Sequence, residues 1–198
     1  MKNNTLNIKQ EFDLILYAKF IVNIIPQFIE KIFVCKNELT IYVKKENLLS
    51  TLLFLKNNNN CLFKVLADIT AVDYPEKINR FEVIYNLLSV KYNTRLYLKT
   101  YLSESEIVHS VSSIYKSAVW LEREIWDMFG IFFSEHPDLR RILTDYGFDG
   151  FPLRKDFPLT GFSEIRYDDE MKRIVYDSLE LAQEFRVFDF LSPWERNL

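Results

Sequence analysis

The sequence predicts an α+β fold: a small mixed or antiparallel sheet flanked by helices, followed by a long irregular C-terminal tail made for docking. Three observations lead there. Helical and strand-like patterns alternate over the first 130 residues in the order helix, strands, helix, strands, helices. All four glycines lie between Gly130 and Gly161, with Pro137, Pro152 and Pro158 in the same window, so turn chemistry is concentrated in one segment. After Gly161 the chain has no glycine, turns acidic and carries Tyr167, Tyr176, Phe185, Phe188, Phe190 and Trp194.

Residues 11–29 place Phe12, Ile15, Leu16, Phe20 and Ile24 at helical spacing, ended by Pro26. Lys31–Cys35 and Glu38–Lys44 read as short strands around a Lys36-Asn37 turn, and so as a hairpin. Glu46–Lys56 has the leucine-rich composition of a helix, stopped by Asn57–Asn60. Three strands follow at Phe63–Val72, Arg80–Val90 and Thr94–Tyr101, with turn signals at Tyr74-Pro75 and Tyr92-Asn93; the last two read as an antiparallel pair. Helical spacing returns over Glu104–Tyr115 and Val119–Phe129. Glu135-His136-Pro137-Asp138 looks like a helix start, with Asp138 near its positive end. In the tail, Leu181, Phe185 and Phe188 could share a helical face, while Phe188-Asp189-Phe190 also suits a strand. The expected organisation is a body over 1–133, a Gly/Pro-shaped loop over 134–161 and a docking tail over 162–198. That many apolar groups in a tail need a groove, and a partner is the natural place to find one.

Length and composition exclude several classes of function. The 198 residues, 48% hydrophobic, support one ordinary core. A net charge of -3 argues against a nucleic-acid binder. Lys+Arg stand against Asp+Glu at 15 to 11 over 1–118, 5 to 8 over 119–161 and 5 to 9 over 162–198, so the body is mildly basic and the tail acidic. The longest charge-free stretch, Phe20–Ile29, is half of what a membrane-spanning helix requires. The opening residues show neither the apolar core of a secretory signal nor the Arg/Ser richness of an imported presequence. Cys35 and Cys61 stand alone and read as two buried thiols.

Candidate chemistry is sparse. Glu122, Arg123, Glu124 and Asp127 form the densest charge cluster, on a helix whose Leu121, Ile125 and Met128 share another face. Paired carboxylates can serve as general acid and base, but such clusters are more often a helix surface or an ion-pair network. Trp120 and Trp126 flank the charges and suggest a partly dry, interface-like surface. His136 has only His109 for company, too little for a histidine metal site. Arg140, Arg141, Arg154 and Lys155 could pair with Asp138, Asp145 and Asp156 or fork onto a partner's carboxylates and carbonyls. Adjacent arginines diverge, so Arg140 and Arg141 should split into one that pairs inward and one that faces out. No Gly-rich phosphate cradle and no nucleophile elbow is present.

Read in order, EREIWDMFGIFF from Glu122, HPDLRRILTDYGF from His136 and PLRKDFPLTG from Pro152 closely resemble the signature of the 30-kDa subunit of respiratory complex I, called subunit 9 when organelle-encoded and present also in bacteria. RYDDE from Arg166, ELAQEFR from Glu180 and SPWE from Ser192, with its Trp194, extend the likeness into the tail. The resemblance implies a non-catalytic subunit of the quinone-reducing module of NADH:ubiquinone oxidoreductase. Such a subunit sits on the matrix side of the mitochondrial inner membrane, or on the cytoplasmic face of a bacterial plasma membrane. Its expected partners are other subunits of the complex, chiefly the large one that forms the quinone cavity. The chain itself would bind no cofactor, flavin mononucleotide and the iron–sulfur clusters belonging to its partners, and would not cross the membrane. Three other readings stay open: the equivalent subunit of another quinone-linked or hydrogenase-type membrane complex, a free-standing acid/base enzyme using Glu122, Glu124 and Asp127, and a stand-alone adaptor.

Overall fold

The computed structural model describes residues 14–36, 38–186 and 188. Its contacts divide the chain after Phe157 into two compact units. In the first, α1 (residues 14–24) buries Ala18 and Ile21 and stops short of Pro26, which cannot continue a helix. β1 (Ile29–Cys35) and β2 (Glu38–Val43) pair antiparallel as expected. A single 3-10 turn (Lys45–Asn47) leads into α2 (Leu48–Asn57), which buries Leu48, Leu52 and Leu55. β3 (Val65–Asp73), β4 (Phe81–Ser89) and β5 (Thr94–Leu102) form an antiparallel meander, and β2 lies parallel to β5, giving the order β1-β2-β5-β4-β3. The sheet is therefore mixed, and the fold is the α+β architecture expected.

Strand periodicity sets the core. Side chains alternate across a sheet, and Phe81, Val83, Tyr85 and Leu87 of β4, with Leu96, Leu98 and Leu102 of β5, are all buried. α3 (Ala118–Phe129) packs beside β3 and buries Ile125 and Met128 in the same cluster.

Four expectations need correction. Glu104–Tyr115 is not a helix: β6 (Val108–His109) pairs in parallel with β7 (Phe133–Ser134), and turns follow. Serines such as Ser110 and Ser112 offer the backbone local alternatives to a helix ladder, and the Val111 N–H that a helix would use is donated to Glu122 instead. No helix follows His136 either; the Asp138 N–H donates to His136 Nδ1, while α3 side chains take the carbonyls of residues 140 and 141 and the N–H groups of 142–144. Cys61 is buried, but Cys35, at the end of edge strand β1, is exposed. Leu181 and Phe185 lie on non-helical, exposed chain.

The second unit opens with an unanticipated hairpin, β8 (Ser163–Asp168) and β9 (Arg173–Ser178). Its turn is tied by the Asp168 carboxylate, which accepts the Glu170 and Met171 N–H groups. Phe190 and Trp194 lie outside the described residues. Among those described, no helix is long and apolar enough to cross a membrane.

Candidate functional site

α3 carries the predicted cluster, and the structure turns most of it inward. Glu122, Arg123 and Asp127 are buried and only Glu124 faces solvent, so the surface-helix reading of the cluster does not hold. The two tryptophans do not seal it: Trp120 is 63% exposed and Trp126 is half-buried.

Asp127 is the anchor. Its Oδ2 accepts the backbone N–H groups of Ile142 at 3.1 Å, Leu143 at 2.7 Å and Thr144 at 3.0 Å, and its Oδ1 accepts the Thr144 hydroxyl at 2.6 Å. Burial alone would push this carboxyl up; the Thr144 hydroxyl and the three N–H groups outweigh it and hold the group below the usual aspartate range. One turn earlier, Arg123 donates to the carbonyls of Arg140 at 3.0 Å and Arg141 at 3.3 Å, with its guanidinium 5.0 Å from the Trp120 ring centre. A buried acid and a buried base thus grip consecutive backbone groups of one loop.

The paired arginines separate as their adjacency requires. Arg141 turns inward, donating to the Gly150 carbonyl at 3.0 Å, with its guanidinium 3.7 Å from Asp127 and over the Phe148 and Phe151 rings. Arg140 faces out and meets the exposed Asp138 at 2.9 Å.

The last turn of α3 is closed by the next stretch of chain. Gly130 ends the helix at φ 75°, the left-handed conformation usual just past a helix. A Cβ there would meet the Phe151 ring at 2.6 Å, so the close approach of Phe151 also requires glycine. Helix C-termini leave carbonyls without intrahelical partners. Here the Leu153 N–H fills that of Met128 at 3.1 Å, and Arg154 Nε that of Phe129 at 2.6 Å, which also sets a cation at the negative end of the helix dipole.

Arg154 and Lys155 extend the fastening in a way the sequence did not reveal. Arg154 pairs with Glu104 at 2.6 Å. The Lys155 N–H, not its side chain, is the functional group: it donates to the buried Asp73 at 2.8 Å. Arg80 forks onto Asp73 at 2.7 and 2.9 Å and reaches Asp156 at 2.9 Å. The Arg80 fork holds the Asp73 carboxyl below its ordinary range. These contacts span up to 82 residues of chain, and no local motif signals them.

The His136 side chain is closed off from solvent, with Nε2 3.0 Å from the Val119 carbonyl. Trp194 lies outside the described residues. Among the described residues no group of three or more His, Cys, Asp or Glu could hold a metal ion. The arrangement fastens residues 140–144, 153 and 154 to α3 and residues 155 and 156 to Asp73 and Arg80, while leaving Leu143, Tyr146 and Leu153 exposed.

The model of the family described as respiratory-chain NADH dehydrogenase, 30 Kd subunit, matches residues 41–163. NADH-ubiquinone oxidoreductase subunit 9 of Reclinomonas americana is 56% identical over 176 residues, covering 89% of this chain and 86% of the relative. A bacterial relative, a subunit of the NADH-quinone oxidoreductase of Paramagnetospirillum magneticum, is 56% identical over 158 residues, covering 80% and 79%. Among solved structures, a chain of the membrane-bound sulfane sulfur reductase, an archaeal respiratory membrane complex, is similar at TM-score 0.63 and 28% identity, covering 72% of this chain and 84% of that one.

Proposed function

This chain belongs to the family of the 30-kDa subunit of respiratory-chain NADH dehydrogenase, and from that membership we propose that it serves as a non-catalytic core subunit of the quinone-reducing module of respiratory complex I. The observation that carries the reading is the match, along most of both chains, to relatives that are themselves subunits of NADH:ubiquinone and NADH:quinone oxidoreductases. The assembly passes electrons from NADH to ubiquinone and couples that transfer to proton translocation. Flavin mononucleotide and iron–sulfur clusters reside on its other subunits.

What this chain contributes is shape. Asp127, Arg123, Arg141 and Arg154 spend their charge on the chain's own backbone, so the 140–156 loop is ordered before any partner arrives. A pre-ordered loop loses little conformational entropy on docking, and its exposed Leu143, Tyr146 and Leu153 are the side chains such a contact would bury. The tail offers a second contact. An isolated two-stranded hairpin is marginal in water, and β8–β9 carries Ile165, Tyr167, Ile174 and Tyr176 exposed, which favours burial on a neighbour. The principal neighbour is the large subunit that forms the quinone cavity. The site of action is the matrix side of the mitochondrial inner membrane, or the equivalent cytoplasmic face in a bacterium.

The test is an inventory by mass spectrometry of what co-migrates with this chain on a native gel. Flavin- and cluster-bearing subunits of NADH:quinone oxidoreductase are expected in one large membrane-derived band. Migration as a free chain, or with hydrogenase subunits instead, would contradict the proposal.

A further inference from the structure

The carboxyl of Glu122 is closed off from solvent, and its neighbours can be named from every element around it. Its Oε1 lies 2.7 Å from the Val111 N–H and its Oε2 2.6 Å from the Ser110 hydroxyl; Ser110 in turn meets the Ser112 hydroxyl at 2.8 Å and accepts the Ser112 N–H at 3.2 Å. His136, equally closed off, sets Nε2 3.8 Å from Oε2. Yet its Nδ1 accepts the Asp138 N–H, which assigns the ring proton to Nε2 and to the Val119 carbonyl, so the imidazole is neutral. From β4 comes Tyr85, buried, its hydroxyl without a hydrogen-bond partner among the described residues, its phenol pushed up by burial and then by Glu122. On β3, Asp73 is committed to Arg80 and Lys155; on α3 itself, Arg123 and Asp127 are committed to residues 140–144. The nearest groups thus offer Glu122 hydrogen bonds but no full positive charge.

We propose that Glu122 is a proton-operated clasp, which holds the 110–112 segment against α3 while protonated and lets it open on ionising. A carboxylic acid suits this dry site because it can donate to Ser110, which relays to Ser112, and still accept from Val111. A carboxylate there is a buried charge that, among the described residues, is met by two hydrogen bonds. Burial accordingly pushes the Glu122 carboxyl up to about 7, against the opposing pulls of Ser110 and Val111. The sign follows. The closed form holds its proton more tightly than the open form, whose glutamate titrates near its ordinary 4.5. Closure is fully favoured below that value, weakens about tenfold per pH unit toward about 7, and is level above. Asp73, Asp127 and Glu106, all shifted down, act in the opposite sense at more acidic pH.

Amide hydrogen exchange on the full chain tests this at pH 5, 6, 7 and 8, with the intrinsic pH dependence of exchange divided out. Protection of peptides covering 105–117 should fall by a factor of about 50–100 between pH 5 and 8, nearly all of it before pH 7, whereas Glu122→Gln should show no such fall. Protection that ignores pH in the wild-type chain, or falls equally in E122Q, overturns the proposal. Should E122Q fail to fold, carboxyl 13C titration of glutamate-labelled wild-type chain decides. One glutamate titrating near neutrality supports the clasp, and all titrating in the ordinary acidic range refutes it.

Discussion

Replacing Asp127 by alanine removes the anchor of the 140–156 loop, and the cost can be worked from its partners. Four donors lose their acceptor: the N–H groups of Ile142, Leu143 and Thr144 and the Thr144 hydroxyl. Hydrogen bonds to a charged group contribute roughly 1.5–3 kcal/mol each, but residues 142–144 are half-buried or exposed, so water can replace part of what is lost. About 1 kcal/mol per donor, or about 4 kcal/mol in all, is the resulting loss, which for a chain of this length lowers Tm by about 8–16 °C. Asp127→Asn keeps one oxygen for the three N–H groups and should cost about half as much. Urea unfolding of the isolated full chain measures both. A loss under about 1 kcal/mol for alanine would show that the loop does not depend on this carboxylate, and equal losses for alanine and asparagine would show that a lone amide oxygen keeps none of the anchor. Lowering the pH through the depressed folded pKa of Asp127 should weaken the same contribution, since the protonated acid is the weaker acceptor.

Three further outcomes follow from the same geometry. Arg141→Ala, which opens the contacts to Gly150 and Asp127, should lower Tm, while Arg140→Ala, which breaks one exposed pair, should change stability by no more than about 1 kcal/mol and act on assembly yield instead. Thiol labelling under native conditions should modify Cys35 rapidly and Cys61 only on unfolding, because burial both shields the Cys61 thiol and pushes its pKa up; equal rates would contradict the packing around α1. A chain ending at Gly161 should still unfold cooperatively yet fail to enter the membrane complex; an unfolded truncation would mean that the tail completes the core.

The middle of the sheet was legible because β4 and β5 alternate: Phe81, Val83, Tyr85 and Leu87 point one way, and period-two patterns survive without any knowledge of partners. α3 was legible for the same reason at helical period, with Leu121, Ile125 and Met128 on one face. Glu104–Tyr115 misled because its apolar spacing fits a helix, while the force that undoes the helix, the buried Glu122 carboxyl, lies outside the window. β8–β9 escaped notice although Ile165, Tyr167, Ile174 and Tyr176 alternate along the strands and fall on one face, because the residues between the strands, 169–172, include no glycine, proline or asparagine to mark a turn. The site was half-legible. Charged residues on α3 announced themselves by density, and the divergence of Arg140 and Arg141 follows from adjacency alone. Asp73, Arg80 and Glu104 did not, since their value lies in contacts with residues 154–156 that only the folded sheet creates.

The most direct test of the account is to build Asp127→Ala into the intact complex and read, from one native gel, both the amount of assembled enzyme and its NADH:ubiquinone turnover per complex. A subunit that supplies shape and no reacting group predicts less complex with turnover per complex close to normal. A normal amount of complex with turnover largely lost would place α3 in the chemistry itself and contradict the account.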